Sequence, residues 1–199
     1  MHLKQQNESS IEPSSDDRRE QIKNAALKVF ARRGIDRTKM SMIAVEAGIS
    51  QGLSYRYFSS KEEIFTILVQ EAIDEAQAAI RNVRHLPGSP KEQLKIFTLN
   101  MMDESHKYYF LLLQHAQTSD EAPVMAKQII EQYSSGETIE QLVPLFIKGQ
   151  QMSEFREGDP HKLLFLYFSV IIGLMLQNIP LSQDYLQQEI DSLLKIILK

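Results

Sequence analysis

Apolar positions recur at helical spacing along almost the whole chain. Ile22, Ala26, Val29 and Phe30 fall at i, i+4, i+7 and i+8, one buried face of a helix. Asp17 with Glu20 three residues on predicts a capping box at its start, and Gly34 ends it. Met40, Ile43, Ala44 and Ala47 make a second short face, stopped by Gly48. A third helix is expected from about Gln51 to Phe58. Ser60 followed by Glu63 marks the start of a long helix reaching about Arg84, where "HLPGSP" at 85–90 breaks it. Beyond the break the pattern predicts helices at roughly 91–116 (bent near Ser105), 122–149, 160–178 and 183–198. Pro144 should kink or end the second of these, and Pro160 suits a helix start. No alternating strand pattern and no repeat interrupts this reading, so the fold class is all-α with about nine helices.

Composition changes the picture in one respect. The 199 residues are 43% apolar, enough for one compact unit or for a small domain joined to a larger one, and the net charge is −4. That balance alone argues against nucleic acid, but it hides an asymmetry. Between Arg18 and Lys61 stand ten Lys or Arg against three acids, so the rest of the chain carries the acidic excess. One part is built to meet an anion and the other is not, although a solvated basic helix face reads the same way. The absence of cysteine excludes disulfides, zinc–thiolate sites and thiol catalysis, and agrees with a cytoplasmic location. "MHLKQQNESSIEPSS" has no apolar run and reads as a polar tail rather than an export signal. The longest apolar stretch, 163–176, is shorter than the ~20 residues of a membrane span, so no membrane partner is expected.

The basic segment has the form of a helix-turn-helix. Two short helices are joined through Gly48 and "ISQ", and a glycine there permits the tight reversal. The second helix of such a pair enters the DNA major groove with its N-terminal side chains at base edges. Here it begins Gln51-Gly52-Leu53. Gln51 can pair with an adenine edge, Gly52 adds no bulk, and Leu53 can touch a thymine methyl. Arg56, Tyr57 and Lys61 suit phosphate oxygens, and Lys61 also lies in the first turn of the long helix.

An apolar first helix ending in "RRG", then "IAVEAGIS", then "YRYFSSKEE", stand in that order over about Gln21 to Leu68. This ordered set resembles the TetR family of bacterial repressors. The resemblance implies that Gln51, Gly52 and Tyr55 lie against DNA and that Tyr57 and Lys61 contact phosphates. It implies further contacts from Thr38 and Ser41 at the start of the second helix. The chain departs from the family's pattern at Leu53, where many members have threonine, and at Ser54, where they have leucine. Lys39 replaces a common threonine, which restores a phosphate contact and weakens the helix cap. The expected organisation is a tail at 1–16, a DNA-binding domain at 17–62, and a helical effector-binding and dimerisation domain at 63–199.

In that larger part, 162–179 is apolar nearly all round and must be covered on most sides. Leu186, Ile190, Leu193, Leu194 and Ile197 give the last helix one apolar stripe. Two such helices from each of two subunits are expected to pack as a four-helix bundle. Leu166, Val170, Leu174 and Gln177 would lie on it, with Ser169 and Gly173 allowing close backbone approach. A small apolar effector is expected among Phe97, Met101, Tyr109, His115, Met125, Tyr133 and Phe165 of the middle helices, since pockets are mostly apolar and methionine adapts to varied shapes. His106 and His115 lack metal-ligand spacing, and neither cofactor nor metal is expected. Two functions remain open. One is a homodimeric regulator released from a double-stranded palindromic operator by an effector. The other is a small-molecule-binding helical protein or enzyme without a DNA role, against which speak the lack of any nucleophile, phosphate-loop or zinc motif and the unexplained basic segment.

Overall fold

A computed structural model describes residues 14–133, 135–176 and 190–198. Among them are nine α-helices: α1 Ser15–Arg33, α2 Met40–Glu46, α3 Gln51–Tyr57, α4 Lys61–Asn82, α5 Pro90–Met101, α6 Glu104–Thr118, α7 Val124–Gln132, α8 Ser135–Gln151 and α9 Pro160–Leu176. Residues 190–194 are again helical. A single bridge, Phe155 to Leu198, is the one piece of β pairing among the described residues.

Local chemistry accounts for most boundaries. Helix α1 starts earlier than the expected Asp17–Glu20 box. Ser14 is its cap, accepting from the Asp17 N–H while the Asp17 carboxylate accepts from the Ser14 N–H. Gly48 turns at φ 66°, the left-handed conformation that a reversal between α2 and α3 needs. The expected helix over 91–116 is two helices. α5 ends at Met101, and Asp103 starts α6 by accepting from the His106 N–H at 2.8 Å. The stretch 122–149 likewise divides into α7 and α8, while Pro144 sits inside α8 without ending it.

Two apolar cores stack along α4, which at 22 residues is about 33 Å long. The first joins Ile22, Leu27 and Phe30 of α1 and Ile43 of α2 to Ile64, Phe65 and Leu68 of α4. Phe30 and Phe65 meet edge to face with ring centroids 5.0 Å apart. Leu112 and Ala116 of α6 and Ala126 of α7 complete this core, so the first three helices are sealed by elements from beyond residue 100. The second core joins Ile80 of α4, Leu94 and Phe97 of α5, Leu142 and Phe146 of α8, and Leu164, Tyr167 and Ile171 of α9. In its interior the Tyr167 and Thr98 hydroxyls lie 2.7 Å apart, and Thr98 donates to the Leu94 carbonyl. The shared hydroxyl proton therefore comes from Tyr167, and burial raises its phenol above the ordinary range.

Ile190, Leu193, Leu194 and Ile197 also belong to this second core, with Leu194 only 1% exposed. This corrects the expectation that they face a partner subunit. Their apolar stripe is already covered by the chain's own helices, because an amphipathic helix buries its apolar face against whichever surface is nearest.

Candidate nucleic-acid interface

The second short helix presents what its caps and its packing leave free. Ser50 caps α3 by accepting from the Leu53 N–H at 3.2 Å. Ser54 is fully buried, and its hydroxyl donates to the Gln51 carbonyl at 2.7 Å. The hydroxyl thus meets its hydrogen-bonding need inside the helix, which is how a polar residue fits a fully buried position. Gln51, Gly52, Tyr55 and Arg56 are exposed, Tyr55 to 50%, while Leu53 and Tyr57 are half-buried. Apart from its chain neighbours and the backbone of its own helix, nothing stands within 4 Å of where a Cβ on Gly52 would be, so the backbone there is open to close approach.

Side chains from α1 hold this pair of helices from behind. Arg19 donates to the Tyr57 carbonyl at 2.7 Å and lies 4.4 Å over the Phe58 ring. Gln21 donates to the Ala47 carbonyl at 2.7 Å. Each satisfies an end-of-helix carbonyl that its own helix leaves unpaired. Sequence reasoning missed both, because it treated Arg19 as one more surface cation and gave Gln21 no role. The only local hint was their placement on α1 just before the buried Ile22.

Several of the ten cations are committed inside the protein. Lys23 is paired with Glu20 and with Glu71 of α4. Burial works to lower the Lys23 pKa, but the two carboxylates prevail and hold it above the ordinary lysine value. Arg32 reaches Glu46 at 3.4 Å. Lys28, Arg33, Arg37, Lys39 and Arg56 are exposed, and among the described residues none of them forms an ion pair.

The expected contacts at the start of α2 divide. Lys39 is the residue before α2, exposed and without a side-chain cap hydrogen bond, so its ammonium is free for an anion. Ser41 is half-buried and helps line a groove of about 350 Å³ between α1 and α2, with Val29, Arg33 and Val45. Thr38 is corrected. It is 1% exposed, and its hydroxyl donates to the Gly34 carbonyl at 2.6 Å, leaving nothing to offer a phosphate. Lys61 is half-committed: its ammonium donates to the Ile35 carbonyl at 2.8 Å, and the side chain remains partly exposed. Beside it, Ser60 caps α4 as expected, but Glu63 accepts from the N–H and hydroxyl of Ser59. Those two hydrogen bonds hold the Glu63 carboxyl below its ordinary pKa.

The residues expected to line an effector pocket do not converge. Met125 and Phe165 stand in solvent, 59% and 64% exposed. Phe97 is buried in the second core with Met101 packed at its margin, whereas Tyr109 packs against the first core. Burial, with Glu71 and Glu75 nearby, raises the Tyr109 phenol pKa. The Tyr133 hydroxyl lies 2.7 Å from that of Thr138. His115 points away from any such pocket, with Nε2 3.3 Å from the Ala31 carbonyl of α1. His106 does have carboxylates nearby, Asp103 at 2.7 Å and Glu75 at 3.4 Å, which pair with its ring, but no group of three such side chains among the described residues is placed to hold a metal ion. Of the expected dimer residues, Leu166, Ser169 and Gly173 are exposed along one face of α9, and Val170 and Leu174 are half-buried. Gln177 and Leu186 lie outside the described residues.

Comparisons with known proteins agree with this architecture. Residues 22–66 match the family described as bacterial regulatory proteins, tetR family. The regulator YfiR of Bacillus subtilis is 42% identical over 60 residues, 30% of this chain, and the match spans only 29% of YfiR. YhgD of the same organism, also a helix-turn-helix transcriptional regulator, is 27% identical over 176 residues, covering 84% of this chain and 90% of YhgD. KstR2 of Mycobacterium tuberculosis, a transcriptional repressor, is 32% identical over 112 residues, 56% of this chain and 54% of its own. The solved structure of KstR2, a ketosteroid transcriptional regulator, superimposes with a TM-score of 0.67 at 21% identity, covering 94% of this chain and 97% of that one, which shows a shared fold. These relatives are regulators of transcription. The ordered landmarks of the helix-turn-helix and the matched segment make residues 22–66 similar to the DNA-binding domain of the tetR family of bacterial regulatory proteins, and the likeness of fold extends over the rest of the chain.

Proposed function

We propose that the chain is a homodimeric, sequence-specific transcriptional regulator that reads a palindromic operator with α3 and is released from it by a small, largely apolar effector. The observation that carries this reading is the open row Gln51, Gly52, Tyr55 and Arg56 on α3, with the exposed cations Arg37 and Lys39 just ahead of α2. Gln51, Leu53 and Tyr55 meet base edges, and Gly52 lets the backbone close on them. Lys39, Arg56, Tyr57 and the free part of Lys61 hold phosphates, which fixes register without reading sequence. Residues 17–62 form the reading unit and 63–199 the effector and dimerisation unit. The name of the relative KstR2 supports repression.

Dimerisation uses the outward face of α9, where Phe165, Leu166, Ile172 and Leu176 stand exposed. An apolar stripe along one helix face is what a second copy covers in a helix bundle. An isologous pair supplies two α3 helices, which must sit roughly 34–36 Å apart to enter successive major grooves.

Selection of bound duplexes from a random-sequence pool by the purified protein, at near-physiological salt, tests the proposal. Recovery of one palindrome, with half-sites a helical turn apart or a multiple of it, is the expected outcome. Recovery of no shared sequence, with and without a library of apolar compounds, would sink it.

A further inference from the structure

The last carbonyls of any helix lack partners within it and must find donors elsewhere. At the end of α1 the Phe30 carbonyl accepts from the Gly34 N–H at 2.8 Å. The Ala31 carbonyl has no such neighbour. It lies 3.3 Å from His115 Nε2, on α6 and 84 residues away along the chain. A carbonyl can only accept, so Nε2 carries the proton and His115 caps α1 from outside. Gly34 makes room for the imidazole: a Cβ there would sit 3.3 Å from Nδ1, and its φ of +70° is one that side-chain-bearing residues avoid.

The turn that follows is held in the same way. The Gly34 carbonyl accepts from the Thr38 hydroxyl, and the Ile35 carbonyl accepts from Lys61 at the start of α4. The Asp36 carboxylate accepts from the hydroxyl of Ser119, the residue that closes α6. Residues 34–38 decide where α2 begins, and α2 carries α3 through the Gly48 turn. Donors from the far end of α6 therefore complete the seat of the reading helices.

We infer that His115 and Ser119 are positioning residues for DNA reading: the C-terminal end of α6 clasps the α1–α2 turn, so operator affinity depends on how α6 is docked. This rests on the DNA-reading role proposed above. It goes beyond it by naming the joint through which the larger helical part acts on the reading unit. Neither residue touches DNA. Each acts by holding Gly34–Thr38 and, through it, Lys39 and α2.

The test uses the full chain and the operator selected above. His115→Ala should weaken operator binding about fivefold or more while leaving helix content and dimerisation unchanged. His115→Gln, which keeps an N–H donor at similar reach, should recover most of that loss. Asp36→Ala removes the acceptor of Ser119 from an exposed site and leaves α6 intact. It should act in the same direction and add little when combined with Ser119→Ala. Hydrogen exchange of the free protein should show loss of protection at residues 34–40 in His115→Ala, and recovery in His115→Gln. Unchanged affinity and unchanged protection in His115→Ala would overturn the inference, as would a loss that glutamine does not recover. If the parent chain selects no operator, the DNA-reading proposal fails, and the exchange measurement still decides whether the clasp holds the turn.

Discussion

Thr38 and Lys39 are neighbours in sequence with opposite fates. The first turns its hydroxyl inward to Gly34, and the second leaves its ammonium in solvent. The family resemblance implied a DNA contact at each, and only burial separates them. The same distinction sets what substitutions should do on α3. Gln51→Ala should relax preference at one base position, with discrimination falling by about 1–3 kcal/mol there. Arg56→Ala should weaken binding to all sequences and lower the salt slope by ~1. A binding titration over several salt concentrations, on operator and on single-base variants, checks both. Identical behaviour of the two variants would show that their roles are wrongly assigned. Gly34 carries a stability prediction. With φ +70° and ψ 173°, it occupies a region almost reserved for glycine, and the His115 ring crowds any added carbon. Gly34→Ala should cost about 1–3 kcal/mol in urea unfolding, and a midpoint equal to the parent's would refute the strain argument.

Among the elements, α4 has the most varied duties. Its N-terminal turn follows α3 along the chain, its early residues fill the first core, and Ile80 enters the second. Its start is fastened by Ser60 and by the pairing of Glu63 with Ser59. Because folding lowers the Glu63 pKa, the ionised carboxylate stabilises the native state above the ordinary carboxylate range. That stability is lost as pH falls through the lowered value. Glu63→Gln should therefore lower stability at neutral pH and flatten the acid limb of the pH–stability curve. An acid limb identical to the parent's would show that Glu63 is not linked to folding. The start and end of α4 were legible from "SSKEE" and "HLPGSP", since caps and breakers act within three or four residues. The division of 91–116 at Met101 was read only as a bend, although Asp103 is a good cap. The apolar run around it masks the break, because both flanking helices bury a face at similar spacing.

For the whole molecule, the question is which apolar surface is left to a partner. The stripe at 190–197 is consumed by the second core, whereas the α9 face with Leu166 is not. Leu166→Glu should thus give a folded monomer that binds operator poorly. Leu194→Ala should instead cost about 2–5 kcal/mol of chain stability, because it opens a cavity in a buried site. Sedimentation together with thermal unfolding separates the two outcomes. A dimeric Leu166→Glu variant would remove α9 from the interface. The mid-chain aromatics teach the converse lesson. Phe97 is core, Phe165 is surface, and both had read as pocket. An apolar residue at helical spacing specifies that a face exists, not what it faces.

The chain's local grammar was settled by sequence alone. Helical periodicity, the Gly48 turn, the Ser60 cap and the ordered landmarks from "RRG" to "SKEE" depend on neighbours within a few residues, so they can be read from the string. Tertiary structure decided the commitments. Arg19 on Tyr57, His115 on Ala31, Lys61 on Ile35 and the covering of Leu194 each join positions far apart in the chain. Such pairs form because a buried carbonyl or apolar face must find whatever partner folding brings near, and no spacing in the sequence records which one that will be.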